Sequence, residues 1–351
     1  MTRRHAANLA LGIAVTAACL AAALWGFDRD DYAEIASSFR RADYRTLPLV
    51  LALLVGFFWL KAVRWALLLR PLRPAAPLTA AQSVPALMIG FAGNNLLPAH
   101  LGEFLRVYVL GRQYGLPKAA IFSTVVLERV CDVAAILAFL GGGLAFAPEA
   151  PPEARTTGYV LAVMLAAGLA GIVVYALWTA WFVRTVERLL AKLPLVPAGL
   201  KRKAAELLEA GALGMAALRS GRLAFWIAVT SLAQWLLMVG MIDLALVAFD
   251  ISRPAAVAAV VMGVVAFGVT VPSTPGFFGV IQVAFRVALA PFGVAATDAV
   301  AASVYFHLTQ WVAITAVGLF FLQRAGLKLG QLEQAAEETE VATERELPAA
   351  G

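Results

Sequence analysis

"GNNLLPAHLGEFLR", residues 93–106, interrupts an apolar run with two asparagines, a proline, a histidine, two glycines, a glutamate and an arginine. The surrounding chain has 351 residues, of which 62% are hydrophobic and only 14% charged. A water-soluble core stops growing near that length and stays closer to half apolar, so this composition reads as a polytopic membrane protein. In a bilayer the backbone must satisfy its own hydrogen bonds, which leaves helices or a closed barrel. The apolar stretches are long and lack the alternation of barrel strands, so the expected fold class is all-α. A break carrying proline and glycine then belongs where freed backbone groups are sheltered by protein or line a cavity.

Windows of about 20 apolar residues place full spans at 8–27, 46–69, 119–147, 158–181, 223–249 and 298–322. The first, preceded by Arg3 and Arg4, reads as an uncleaved helix rather than a signal peptide. Two regions, 81–114 and 254–292, are apolar but cut in the middle, the second by "VPSTPGFFG" at 271–279. Their halves are short for a span, and both read as re-entrant hairpins. Pro98 with Gly102 and Pro272 with Gly276 repeat one spacing at corresponding points, so the chain is expected to form two inverted halves, about 8–147 and 158–322. Together they form a single transmembrane domain over 1–330, followed by an acidic tail, 331–351, that lacks aromatics and is expected to be disordered.

The net charge of +6 is concentrated beside apolar segments, as topology signals and anionic-lipid contacts are, which argues against a nucleic-acid partner. The connector 182–222 carries Arg184, Arg188, Lys192, Lys201, Arg202, Lys203, Arg219 and Arg222 and is placed in the cytoplasm. Counting spans outward puts Lys61, Arg64, Arg70, Arg73, Arg324, Lys328 and both termini on the same side. The loop 28–45 is the exception, with Arg29, Arg40, Arg41 and Arg45 on the far side beside five acids. Cys19 and Cys131 lie in apolar segments without metal-ligand spacing, so neither a disulfide nor a metal is expected. Tryptophans including Trp25, Trp59, Trp65, Trp226 and Trp235 read as an interfacial belt.

Charges inside apolar helices are costly and face a protein interior, a cavity or each other. Glu103 and Arg106 share a helix face, as do Glu128 and Asp132 in "VVLERVCDVAAIL", residues 125–137, while Arg129 points about 100° away. One reading is a polar cavity in which Arg106 and Arg129 neutralise a lipid phosphate and the acids orient them. The other is an internal network holding 119–147 to the first hairpin. Asn94 and Asn95 suit backbone capping or headgroup contact. In the second half Pro272, Ser273, Gly276, Gly279, Gln282 and His307 would line a neutral, backbone-rich wall, with His307 expected as a hydrogen-bonded packing residue rather than a proton relay.

The segments "NNLLPAHLGEFLRVYVL", "AIFSTVVLERVCDVAAIL" and "VPSTPGFFGVIQVAF" resemble the signature regions of the lysylphosphatidylglycerol synthase transmembrane (flippase-like) family, related to the flippase domain of the multiple peptide resistance factor. The resemblance runs over roughly residues 8–325. It implies signature positions at Gly102, Glu103, Arg106, Glu128, Arg129, Asp132, Pro272, Pro275, Gly276 and Gly279, with a departure at Gln282, where many relatives carry Glu. It also implies movement of anionic or aminoacylated phospholipids, or related polyprenyl or hopanoid lipids, between leaflets of a bacterial inner membrane. The chain lacks the soluble aminoacyl-transfer domain of full synthases and a nucleotide-binding motif, so a non-enzymatic lipid transporter without a cofactor is expected. A membrane lipid is the expected substrate and lipid-biosynthetic enzymes the expected partners. Two alternatives stand beside it: an integral-membrane enzyme acting on a polyprenyl-phosphate lipid with Glu103 or Asp132 as base, and a non-transporting scaffold of a lipid-synthesis complex.

Overall fold

The computed structural model describes residues 3–97, with side chains from Ala14, then 101–147, 220–270 and 275–327, together with isolated positions between 152 and 217 and Thr339. The expected span 158–181, the connector, the tail, Pro272 and Ser273 lie outside the described residues or touch them only at isolated positions.

Among the described residues the fold is all-α, with no strand. Ten helices follow one another: α1 (Arg3–Leu24), α2 (Arg29–Arg41), α3 (Leu47–Leu69), α4 (Ala80–Leu96), α5 (Gly102–Tyr114), α6 (Lys118–Phe146), α7 (Gly221–Ala248), α8 (Ala255–Gly268), α9 (Val280–Leu289) and α10 (Ala296–Arg324). Three are long and apolar enough to cross a membrane: α3 with its flanking turns, α7 and α10. Helix α6 matches them at 29 residues but carries Glu128, Arg129 and Asp132. Arms α4 and α5, of 17 and 13 residues, and α8 and α9, of 14 and 10, are shorter. At 1.5 Å per residue none of these four spans a hydrocarbon core of roughly 30 Å.

The segment 28–45 is not the loop expected of it. Asp28 caps α2 by accepting from the backbone N–H groups of Asp30 and Asp31 at 2.9 and 3.1 Å, and Asp31 accepts from that of Asp28 at 2.9 Å. Arg40 and Arg41 complement the other end of the helix dipole. Its charges therefore belong to a capped amphipathic helix packed on α10.

Bilayer helices gain little from apolar burial against each other, so they associate where small residues let backbones approach. The contacts come in reciprocal pairs. A Cβ at Gly56 of α3 would lie 3.2 Å from Leu237 Cδ1, and one at Gly240 of α7 would lie 3.3 Å from Leu53 Cδ1. Gly143 of α6 sits against Ala256 and Val260 of α8, and Gly318 of α10 against Met88 and Ala92 of α4. Early residues of each helix meet late residues of its partner, so α3 and α7, α6 and α8, and α4 and α10 run antiparallel. Asp43 N–H donates to Ala248 O at 2.8 Å, which fixes the start of α3 beside the end of α7.

The two ends of the bundle differ in charge. The end formed by the last turns of α3, α5 and α10 and the first turns of α4, α6 and α7 holds Arg70, Arg73, Arg112, Lys118, Arg222 and Arg324, with no carboxylate among the described residues. The opposite end carries both signs, including Asp28, Glu34, Arg41, Arg253 and Asp298.

Candidate functional site

Helices α3, α5, α6 and α7 bring ionisable and polar side chains together inside the bundle. Lys61 and Arg64 of α3, Arg106 of α5 and Glu128 and Asp132 of α6 are each at most 3% exposed. At 1.5 Å per residue they sit roughly 8 Å (Arg64) to 21 Å (Asp132) along their helices from the basic end, so the cluster is centred near mid-depth for a bilayer core of roughly 30 Å. Glu128 Oε1 takes Lys61 Nζ at 3.0 Å and Arg64 Nη2 at 3.5 Å, while its Oε2 takes Arg106 Nη1 at 3.0 Å. Asp132 Oδ2 takes Lys61 Nζ at 3.1 Å. Asp132 Oδ1 takes Arg64 Nη2 at 2.8 Å, Gln234 Nε2 at 2.7 Å and Trp235 Nε1 at 2.9 Å.

Arg64 also donates to Ser231 Oγ at 3.0 Å. The Arg106 guanidinium lies 5.2 Å from the centre of the Trp65 ring, and Trp65 in turn donates to Thr124 Oγ1 at 3.1 Å. On the surface side Arg129 Nε meets Glu103 Oε1 at 3.0 Å, and Arg129 approaches Glu128 and Asp132 at 3.8 and 3.7 Å. Four cations, Lys61, Arg64, Arg106 and Arg129, therefore face three carboxylates, Glu103, Glu128 and Asp132, leaving one positive charge in excess. Arg106 Nε and Nη2 are buried and find no acceptor among the described residues. Only the outer pair reaches the surface, with the Arg129 side chain 41% exposed and that of Glu103 21%.

Several expectations change here. Glu103 pairs with Arg129 on the neighbouring helix, not with Arg106 one turn along its own. Lys61 and Arg64 are not cytoplasmic topology signals but the principal partners of Glu128 and Asp132. Trp65 and Trp235 are not belt residues, since one is buried beneath Arg106 and the other bonds Asp132; Trp25, Trp59 and Trp226 are exposed, as a belt requires. The α3 contribution was available to sequence reading as "WLKAVRW", two cations three residues apart within an apolar helix. The role of Gln234 and Trp235 had no comparable signal, because a glutamine beside a tryptophan is unremarkable until a carboxylate faces it.

The first break is a close backbone crossing. A side chain at Gly102 would collide with Gly90 O and lie 2.6 Å from the backbone N of Asn94, so α4 and α5 meet through bare glycine. Among the described residues Asn95 donates not to the hairpin backbone but to Thr315 Oγ1 of α10 at 3.0 Å, and Asn94 Oδ1 is buried without a partner.

The second break holds a separate, neutral set. Gly276 and Gly279 have φ of 82° and 84°, the left-handed region that glycine alone enters freely, and Gly279 lies against Thr16 and Leu20 of α1. Gln282 Oε1 accepts from Gly279 N–H at 2.8 Å, which leaves its amide nitrogen to donate to His307 Nδ1 at 3.3 Å. His307 Nε2–H then donates to Gly276 O at 2.7 Å. Both ring nitrogens are used and one neutral tautomer satisfies the chain of bonds, the arrangement of a packing histidine. Arg286, the nearest charge along α9, turns away and donates to Ala22 O, Ala23 O and Trp25 O at 3.0, 2.9 and 3.0 Å, capping the end of α1. The structure thus gathers Glu103, Arg106, Glu128, Arg129 and Asp132 in one cluster and Gly276, Gly279, Gln282 and His307 in another.

Compared with known proteins, residues 9–318 match the family model described as Lysylphosphatidylglycerol synthase TM region. No curated protein and no solved structure gives a significant match.

Proposed function

The chain belongs to the Lysylphosphatidylglycerol synthase TM region family, a membrane domain related to lipid flippase and synthase function, and from that premise we propose that it carries an anionic or aminoacylated phospholipid between the leaflets of a bacterial inner membrane. One observation carries the reading. Near mid-depth the buried cluster holds an excess positive charge, and Arg106 keeps two buried donors without an acceptor among the described residues, while Arg129 reaches the surface. A phosphodiester supplies the missing acceptor oxygens and the missing charge. On this account Arg129 exchanges Glu103 for the arriving headgroup, Arg106 takes it at mid-depth, and the acyl chains stay in lipid. Glu103, once released, is free to meet the ammonium of an aminoacylated headgroup.

The reciprocal contacts support two inverted halves, α3–α6 and α7–α10, with the hairpins as re-entrant arms. Leu53 and Gly56 match Leu237 and Gly240, and Gly143 matches Gly318. Counting from these anchors, Lys61 and Arg64 fall opposite Ala245 and Ala248, and Glu128 and Asp132 opposite Ser303 and His307. The charge therefore resides in one half while the other offers a neutral wall, so rocking the halves about α3 and α7 would open the charged face to each leaflet in turn. The basic end of the bundle, which holds no carboxylate among the described residues, is assigned to the cytoplasm, with both termini there.

Chemistry on the lipid is not part of this proposal. Both oxygens of Asp132 are engaged by cations or hydrogen-bond donors, and Glu103 is held by Arg129 at 3.0 Å, which counts against either carboxylate as a base. The test is reconstitution in liposomes with headgroup-tagged phosphatidylglycerol or phosphatidylcholine, followed by mass analysis of the lipid. Wild type should move the anionic lipid with unchanged mass, and Arg129→Gln should not. A change of lipid mass, or equal movement by Arg129→Gln, would overturn the proposal.

A further inference from the structure

At the basic end, between α4, α5 and α10, lies an open cavity of about 420 Å³, the size of a small-molecule site. Arg112, Gln113 and Tyr108 of α5 and Arg324 of α10 line it, with Val109 and Phe321 as apolar walls. It is separate from the buried cluster, lying one to two turns beyond Arg106 toward the end of α5. Neither arginine has a carboxylate partner among the described residues. Arg112 makes one long hydrogen bond, 3.3 Å, to Tyr108 Oη, and the Arg324 guanidinium lies 5.6 Å from the centre of the Phe320 ring. Lys118 adds a third cation, 5.7 Å from the centre of the Tyr108 ring.

Exposed arginines at a helix C-terminus often serve only the helix dipole. Here two helices from opposite halves of the chain aim theirs at one cavity with an amide, a phenol and apolar walls, which a dipole alone does not require. We propose that this cavity binds the headgroup of an anionic phospholipid from the leaflet at the basic end. Arg112 and Arg324 pair with the phosphodiester, Gln113 and Tyr108 hydrogen-bond its polar substituent, and Val109 and Phe321 take the start of the acyl chains. Such a lipid ties the end of α10 to the α4–α5 hairpin, and its binding does not depend on whether the buried cluster transports anything.

The experiment is thermal unfolding of the purified full chain in detergent, titrated with phosphatidylglycerol, phosphatidylcholine or inorganic phosphate. Wild type should be stabilised by phosphatidylglycerol and by neither of the others. In R112Q/R324Q the half-saturating phosphatidylglycerol concentration should rise at least tenfold, while R222Q, which removes a cation from the same end but outside the cavity, should respond as wild type does. Should the double variant not fold, R112Q and R324Q singly are judged by the same criterion. An unchanged response in the cavity variants, an equal loss in R222Q, or stabilisation by inorganic phosphate alone would overturn the proposal.

Discussion

Replacing Glu128 with glutamine is the sharpest test of how the buried cluster is held. The carboxylate is fully buried and contacts Lys61 and Arg106 at 3.0 Å and Arg64 at 3.5 Å. Glutamine keeps the shape, but one end of the amide must point its own N–H groups at a cation. The excess charge of the cluster rises from one to two. Removing one partner of a buried ion pair costs about 3–5 kcal/mol, because the remaining charge loses its compensation without regaining water. At roughly 2–4 °C per kcal/mol for larger domains, the unfolding midpoint in detergent should fall by about 10 °C. Adding Lys61→Met removes one of the two cations 3.0 Å from the lost carboxylate and returns the excess to one. The double variant should recover at least half of the loss, since contacting residues are not additive. A Glu128→Gln protein as stable as wild type, or losses in the double variant that simply add, would refute the reasoning.

Other consequences are open to measurement. Gly102→Ala should cost about 3 kcal/mol or more, seen as loss of monodisperse protein, whereas Gly142→Ala, with nothing within 4 Å of the added carbon, should be neutral. Gln282→Ala strands the Gly279 N–H and His307 Nδ1 and should lower stability by about 1–3 kcal/mol in thermal unfolding. Arg286→Ala removes the three hydrogen bonds that cap α1, so maleimide labelling of Cys19 on that helix should accelerate several-fold with little change at Cys131.

Much of this arrangement is written in hydrophobic pattern. The positions of α3, α6, α7 and α10 follow from runs long enough to span, and the breaks at Gly102 and Gly276 follow from proline and glycine where lipid tolerates no loose backbone. The acids and arginines of α5 and α6 were legible as residues too costly to be idle in an apolar helix. What was not legible is who faces whom. Lys61 and Arg64 lie close enough to a basic loop to be read as part of it, and only the packing of α3 against α6 and α7 shows that they face Glu128, Asp132 and Ser231. The pairing of Glu103 with Arg129, rather than with the nearer Arg106, depends on the rotation of α5 against α6, which periodicity does not fix. Likewise the segment 28–45 carries few apolar residues, so its helix rests on the Asp28 cap and its packing against α10, neither of which a hydropathy window detects.

The central claim is that Arg106, buried and short of acceptors, receives a lipid headgroup on its way across the bilayer. The most direct test is movement of headgroup-tagged phosphatidylglycerol in proteoliposomes by wild type and by Arg106→Gln, with both proteins first shown to be monodisperse and folded. The account predicts transport by wild type and none above protein-free vesicles by the variant. Transport by Arg106→Gln at the wild-type rate would contradict it.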